Sequence, residues 1–264
     1  MIKFSIITIT YNAEAVLGRT LKSVEAQDYH EVEHLIIDGA SKDGTVRLAS
    51  EYKERSDAAD NGHEVKIVSE PDRGLYDAMN KGLRLASGDY VCFLNAGDTL
   101  HSSSTLSDLC SKARLETLRE EQRPLPAVVY GDTDIVDGEG NFICRRRLSP
   151  PERLTWKSFK NGMLVCHQAF YARADIAKRT RYDLRYRFSS DVDWCIRIMK
   201  EAEKEGLPLV NVHETVADYQ QEGQTTLHHK ESLKERFDVM SRHYGLFTTM
   251  IMHLWFAVRS VLKK

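Results

Sequence analysis

Phe4-Ser5-Ile6-Ile7-Thr8-Ile9, running into Thr10-Tyr11-Asn12, is the stretch that decides the fold. A short apolar run rich in Ile reads as a buried strand, and it stops abruptly at polar side chains. The pattern recurs three times. His34-Leu35-Ile36-Ile37 meets Asp38-Gly39-Ala40-Ser41-Lys42-Asp43. Val65-Lys66-Ile67-Val68 leads to Glu70-Pro71-Asp72-Arg73-Gly74, and Tyr90-Val91-Cys92-Phe93-Leu94 to Asn95-Ala96-Gly97-Asp98. Between the runs lie helical spacings: Val16, Leu17, Leu21 and Val24; Val46, Leu48, Ala49 and Tyr52; Ala78, Met79, Leu83 and Leu85. The order β-α-β-α-β-α-β implies parallel strands joined by right-handed crossovers. Their carboxyl ends then share one edge, where open α/β sheets bind ligands. Four polar clusters, distant in the chain, are expected to converge there. Acidic groups with an aromatic ring suit a nucleotide carrying a divalent cation.

The chain has 264 residues, 42% of them hydrophobic, which allows one large α/β domain with a normal core. Its formal net charge of -2 argues against nucleic acid as the main partner. The five cysteines, Cys92, Cys110, Cys144, Cys166 and Cys195, include no C-x-x-C pair. They read as reduced thiols of a cytosolic protein, without a zinc site. The N-terminus enters the first strand directly, so no signal peptide is expected. No stretch approaches the roughly 18 apolar residues of a membrane-spanning helix.

Beyond residue 100 the spacing predicts one helix over 103–121, short strands over 128–132 and 133–136, and a turn at Asp137-Gly138-Glu139-Gly140. Residues 140–190 read as irregular loops, apart from a strand-like Ala169-Phe170-Tyr171. A helix follows over 192–203, a strand over 209–212 and a helix over 230–244. With no repeat and no evident linker, the chain reads as one catalytic unit with a helical tail.

Several residues carry chemistry on their own account. Asp98, at a strand end behind a Gly turn, suits a hard cation that bridges a diphosphate; capping the next helix is the alternative. Tyr11 can stack on a base or merely cover the sheet edge. Asp38 can accept from a ribose hydroxyl or a base N–H, while Asp43 suits the start of the next helix. His167 and Gln168 suit an acceptor pocket lined with sugar-binding groups; the other reading is a satisfied core His. In Ser190-Asp191-Val192-Asp193 the two acids cannot face one way on a helix, so at most one serves a site. Either could instead favour the helix N-terminus electrostatically.

Taken together, four of these segments closely resemble the family 2 glycosyltransferases: 5–12, 35–45, Glu70 to Gly82 and Gly88 to Asp98. The likeness is dense over residues 3 to about 100 and returns over 162–198. It implies an A-type glycosyltransferase (GT-A-like) fold, with a mixed, mainly parallel sheet flanked by helices. Residues 1–225 would form the catalytic domain, its nucleotide-sugar half ending near residue 100. Residues 226–264 would form the C-terminal helical tail. The resemblance puts the donor's base and ribose near Thr10, Tyr11, Asn12 and Asp38, and Asp72 close to the donor. Asn80 and Lys81 would line or support the pocket, with Lys81 either a phosphate partner or a solvated lysine. Asp98 falls on the final acid of the D-x-D motif and would bind Mg²⁺ or Mn²⁺. Asn95 stands where many members carry the first Asp, leaving one fewer charge for the metal. Aligned on Trp194 to Arg197, the family's general base is Asp191, with Asp193 as runner-up. The chemistry implied is an inverting transfer from a nucleotide-diphosphate sugar, UDP-linked in the leading reading, to a hydroxyl of a glycan or lipid-linked glycan.

Gln221 to Thr226 resembles the family's Gly-containing loop near the diphosphate, or is a plain turn. His228-His229 offers a weak metal-ligand pair. Arg145-Arg146-Arg147 with Arg153, Lys157 and Lys160 reads as solvated surface or as a contact for anionic lipid. Leu246, Phe247, Met250, Ile251, Leu254, Trp255 and Val258 share a helical face, with His253, Arg259, Lys263 and Lys264 as polar anchors. That face suits a membrane interface, the enzyme's own surface or a second subunit. The combined expectation is a cytoplasmic enzyme, peripheral on the inner face of the plasma membrane, in polysaccharide or lipopolysaccharide synthesis. The alternative is a catalytically silent nucleotide-sugar-binding regulator of the same fold. A dinucleotide oxidoreductase would need G-x-G-x-x-G after the first strand, where Tyr11-Asn12-Ala13-Glu14-Ala15-Val16 stands.

Overall fold

The computed structural model describes residues 1–221 and 229–261. The first half runs β1 (Phe4–Thr10), α1 (Glu14–Glu25), β2 (Val32–Asp38), α2 (Thr45–Ala59), β3 (His63–Ser69), α3 (Leu75–Leu85) and β4 (Tyr90–Phe93). These are the four strands and three helices expected, and β1 pairs in parallel with both β2 and β4, as β2 does with β3. Every residue of β1 and β2 is buried, and their buried polar residues satisfy one another across the pair, Ser5 with Glu33 and Thr8 with His34. β3, at the sheet edge, alternates between buried and exposed positions instead.

The second half is β5 (Thr99–Leu100), α4 (Thr105–Lys112), α5 (Leu115–Glu120), β6 (Val128–Val136), β7 (Phe142–Arg145), β8 (Phe170–Arg173), α6 (Ala174–Arg179), α7 (Ser190–Glu205) and β9 (Leu209–Gln220). The tail forms α8 (His229–Tyr244) and α9 (Leu246–Val261), which meet at Gly245. One mixed sheet takes the order β3-β2-β1-β4-β8-β6-β9-β5, and β7 pairs with β6. β8 is antiparallel to both β4 and β6, so it joins the parallel half to the remainder.

Four expectations change. The helix over 103–121 is two helices, because Arg114 turns left-handed at φ +54°. The two strands of 128–136 are one, with register shifts against β9 near Gly131. β9 runs through Gln220 rather than stopping at Val212; His213, at φ +57°, bulges it without ending it. Besides β8, which falls on the strand-like 169–171, residues 140–190 hold β7 and α6. Arg146 also leaves the expected basic surface patch: its guanidinium donates to the carbonyls of Leu148 and Met163, each at 2.7 Å.

The core lies on both faces of the central strands. One column of it positions the site. Tyr182 stacks on Trp194 of α7 at 4.9 Å between ring centres and on Tyr76 of α3 at 5.4 Å. Asn80 clamps that column in place: its Nδ2 donates to the Tyr182 carbonyl and its Oδ1 accepts from the Tyr182 N–H.

Candidate active site at the carboxyl edge of the sheet

The carboxyl ends of β3, β2, β1 and β4 lie side by side, so topology alone brings the four clusters to one edge. Thr10 and Asp38 are register partners at the ends of β1 and β2. Tyr11 follows, 66% exposed, its ring free to meet a ligand. Asn12 adopts φ +48° and accepts from the Lys42 N–H at 2.9 Å, tying the loop after β1 to the loop after β2. Gly39 sits where Tyr11 and Asp72 converge. A Cβ there would lie 2.7 Å from Asp72 Oδ2 and 3.3 Å from the Tyr11 ring.

Asp38 is almost wholly buried and already committed. It accepts from Thr10 Oγ1 at 3.0 Å, from Ser69 Oγ at 2.6 Å, and from both the N–H and the hydroxyl of Ser41. Burial alone would raise its pKa, but these donors outweigh burial and hold it below the ordinary carboxylate value. It organises three loops rather than offering a free acceptor. Asp72 Oδ1 accepts from the Gly74 N–H at the start of α3, leaving Oδ2 towards Gly39. Lys81 donates to the Pro71 carbonyl at 2.7 Å and pairs with Glu70, so it braces the loop that carries Asp72. Asn80 spends its amide on Tyr182, as described above. Both residues support the wall rather than reach a phosphate. Asp43 starts α2, accepting from the Thr45 N–H at 3.0 Å.

A second group forms where β4 meets α7. Asn95 Nδ2 donates to His167 Nε2 at 3.1 Å. With Nε2 accepting, the ring proton sits on Nδ1, which lies 3.5 Å from Asp191 Oδ2. Tyr76 donates its hydroxyl to Asp191 Oδ1 at 3.1 Å, and its own pKa is raised well above the ordinary value by burial and the Asp191 charge. Burial also works against ionisation of Asp191. The His167 contact and the charge of Arg236 on α8 overcome it, and its pKa falls below the ordinary carboxylate value. Arg236 Nε is itself buried without a hydrogen-bond partner. Glu235, beside it, accepts from the N–H groups of Arg187, Phe188 and Ser189 at 2.8, 2.7 and 3.0 Å, fixing the entry to α7. Asp193 points elsewhere, to Arg197 Nε at 2.7 Å and His243 Nε2 at 2.8 Å. Of the two acids only Asp191 joins this group.

Asp98 is 4% exposed. Its Oδ2 accepts from Gln168 Nε2 at 2.7 Å and its Oδ1 from the Gln220 N–H at 3.0 Å. Thr20 Oγ1 donates to its carbonyl and accepts from the Gly97 N–H, so the turn is pinned to α1. Burial pushes the Asp98 carboxyl up to about 6 despite these donors. Each Asp98 oxygen takes one hydrogen bond and keeps lone-pair capacity, and Asn95 Oδ1 is buried without a partner; these are the oxygens this turn would offer Mg²⁺ or Mn²⁺. Gln168, fully buried, serves Asp98 rather than an acceptor, and His167 serves Asp191. Glu222 to His228, covering most of the expected diphosphate loop and one member of the His pair, lie outside the described residues, as does the His229 side chain.

Tyr76, Arg19, Thr20, Gln220 and Arg236 were not legible as site residues. Tyr76 sits in an apolar helical pattern and looks like core, while the others come from elements hundreds of atoms away in the chain. Arg19 donates to the carbonyls of Gly97 and Asp137 and to Gln220 Oε1, bridging α1 to β9.

A family model described as Glycosyl transferase family 2 matches residues 5–179. A PGL/p-HBAD biosynthesis glycosyltransferase of Mycobacterium bovis is 35% identical over 252 residues, covering 94% of this chain and 89% of that one. The amylovoran biosynthesis glycosyltransferase AmsB of Erwinia amylovora is 29% identical over 240 residues, covering 88% and 75%. Among solved structures, S. aureus TarS 1–349 in complex with UDP-GlcNAc superposes with a TM-score of 0.68 at 18% identity, over 90% of this chain and 64% of that one. The mannosyltransferase PcManGT from Pyrobaculum calidifontis, in complex with GDP-Man and Mn²⁺, gives 0.64 at 17%, over 96% and 70%. This chain thus spans just under two thirds of the TarS fragment, and at these identities both structures speak to the fold, which is the GT-A-like one expected. The sequence match over two thirds of the chain decides the rest: the chain belongs to glycosyl transferase family 2 and is a glycosyltransferase.

Proposed function

We propose that this enzyme transfers a sugar, with inversion, from a nucleotide-diphosphate sugar to an acceptor hydroxyl, with Asp191 as general base. The observation that carries the reading is the Asp191 carboxylate itself. It stands at the N-terminus of α7, kept ionised by His167 and Arg236, and is tied through His167 to Asn95 at the end of β4. An ionised carboxylate has acceptor capacity beyond the Tyr76 and His167 contacts, enough to take a hydroxyl proton. The acceptor oxygen then forms a bond to the anomeric carbon as the bond to the donor phosphate breaks. The proton passes to Asp191 and the electron pair leaves with the nucleoside diphosphate. Tyr11 and Asp72 are proposed to meet the donor, with Thr10, Asn12 and Asp38 shaping their loops. Arg236 offers an unpaired buried donor to an anionic oxygen of the substrate.

The relatives act, by name, in PGL/p-HBAD biosynthesis and in amylovoran biosynthesis. This supports a glycan or lipid-linked glycan acceptor made at the cytoplasmic face of the membrane. The tail supports the same setting. His253 packs its ring on Phe237 of α8 at 5.0 Å, while Leu246, Phe247, Met250, Ile251, Leu254, Trp255 and Val258 of α9 are exposed. No helix among the described residues is long and apolar enough to cross a membrane. An apolar row of this kind suits a helix lying in the interface. Sedimentation with anionic vesicles tests it: F247D/W255D should stay in the supernatant, and equal pelleting of both proteins refutes it.

The donor is UDP-linked in the leading reading. A panel of UDP-, GDP- and dTDP-sugars, assayed for release of nucleoside diphosphate with Mg²⁺, with Mn²⁺ and with chelator, identifies it. Asp191→Asn should retain donor binding and lose release to acceptor. Full release by that variant removes the base assignment. No release by the wild type with any donor favours the silent regulatory alternative.

A further inference from the structure

His101, Asp134 and Asp218 come together on the sheet, away from the Asp191 site. Their ligand atoms all lie within 4.8 Å of one another. Topology explains the meeting. Asp218 on β9 is the register partner of Asp134 on β6, and its neighbour across β5 is Thr99, two residues before His101. Tyr219 must face the opposite side of the strand from Asp218, so the cluster is turned from whatever Tyr219 contacts.

Two of the three groups satisfy each other: His101 Nδ1 lies 2.8 Å from Asp218 Oδ1. Asp134 does not share in this. It is 8% exposed, and its Oδ1 is buried with no hydrogen-bond partner. Arg145, its register partner on β7, is exposed and makes no ion pair with it among the described residues. A buried carboxylate oxygen without a donor is costly unless something positive sits against it.

We propose that His101, Asp134 and Asp218 form a binding site for a first-row divalent cation, zinc foremost. Two carboxylates and a neutral imidazole give a charge-balanced nitrogen and oxygen donor set. It favours Zn²⁺ over Mg²⁺, which takes oxygen ligands and binds imidazole poorly. The ion joins β5, β6 and β9 at one point. β9 continues two residues further to Gln220, whose N–H holds Asp98, so the ion also stiffens the strand on which the Asp98 turn rests. The site is independent of the glycosyl-transfer reading.

The test uses the full chain, stripped with chelator, and zinc alone without nucleotide. Zinc competition against a chromogenic chelator should give one equivalent bound to the wild type and to Asp98→Asn. Asp134→Asn and His101→Gln should bind about tenfold or more weakly. Thermal unfolding guards against misfolding: both variants should melt cooperatively, and zinc should raise the midpoint of the wild type but not theirs. Zinc binding unchanged in Asp134→Asn and His101→Gln overturns the proposal, as does a wild type that takes up no zinc at micromolar concentration.

Discussion

Replacing His167 with Ala should move the acid limb of the transfer rate to higher pH. The base works only when ionised, and Asp191 is ionised to unusually low pH because His167 and Arg236 outweigh its burial. A hydrogen bond to a charged group is worth about 1.5–3 kcal/mol. At 3.5 Å the Nδ1–Oδ2 contact belongs at the weak end of that range. About 1.5 kcal/mol corresponds to roughly one pH unit. Losing His167 raises the Asp191 pKa, so the variant loses activity at a pH where the wild type still works. Well above the limb the two should differ far less. The assay is kcat/KM for nucleoside diphosphate release from about pH 2.5 to about pH 8, for wild type, His167→Ala and His167→Gln. His167→Gln keeps an N–H donor and should recover part of the shift. A limb that stays in place while rates fall equally at every pH refutes the reasoning, and would make His167 a packing residue.

Four further outcomes follow from the same geometry. Asp191→Asn should lower kcat by about 10²–10⁴ while donor affinity, read by calorimetry, changes little. Tyr76→Phe removes one donor to Asp191 and should shift the acid limb in the same direction as His167→Ala. Asn80→Ala removes two buried hydrogen bonds to Tyr182 and should cost about 2–3 kcal/mol in urea unfolding, with the loss concentrated in stability rather than donor affinity. Asp98 binds its proton more tightly folded than unfolded, so its share of stability is greatest at low pH and declines as pH rises from the ordinary 3.8 through about 6. That interval is worth about 3 kcal/mol. The stability difference between Asp98→Asn and wild type should therefore shift towards the variant by up to that amount between pH 4 and about pH 7.

The first hundred residues were legible because each inner strand is buried on both faces and ends where its loop begins. Their short length, their Ile and Val content and the Gly, Pro and Asp that bound them separate such strands from the longer helical patterns between. The second half hides its order for physical reasons. β5 is two residues long and exists only because β9, far along the chain, pairs with it. β9 carries His213 and Glu214 exposed at its bulge, so its sequence lacks a clean apolar run. The site divides the same way. Tyr11 could be picked out as an aromatic ring at a strand end, whereas Asp72 and the choice of Asp191 over Asp193 came only with the family resemblance. What Asp38, Asn80, Gln168 and Asp98 do was not legible. Their partners are backbone N–H groups, carbonyls, hydroxyls and, for Gln168 and Asp98, each other's side chains, which tertiary structure alone brings together.

Glu235 has a consequence for anyone recombining this enzyme with its relatives. The family match ends at residue 179, yet the three amides in front of α7 are fastened from α8, across the intervening chain. A chimera that exchanges the C-terminal helices without residues 187–191 breaks that fastening at the junction. The seam for grafting belongs before Tyr182, so that the carboxylate and the helix that steadies its approach travel as one inherited block.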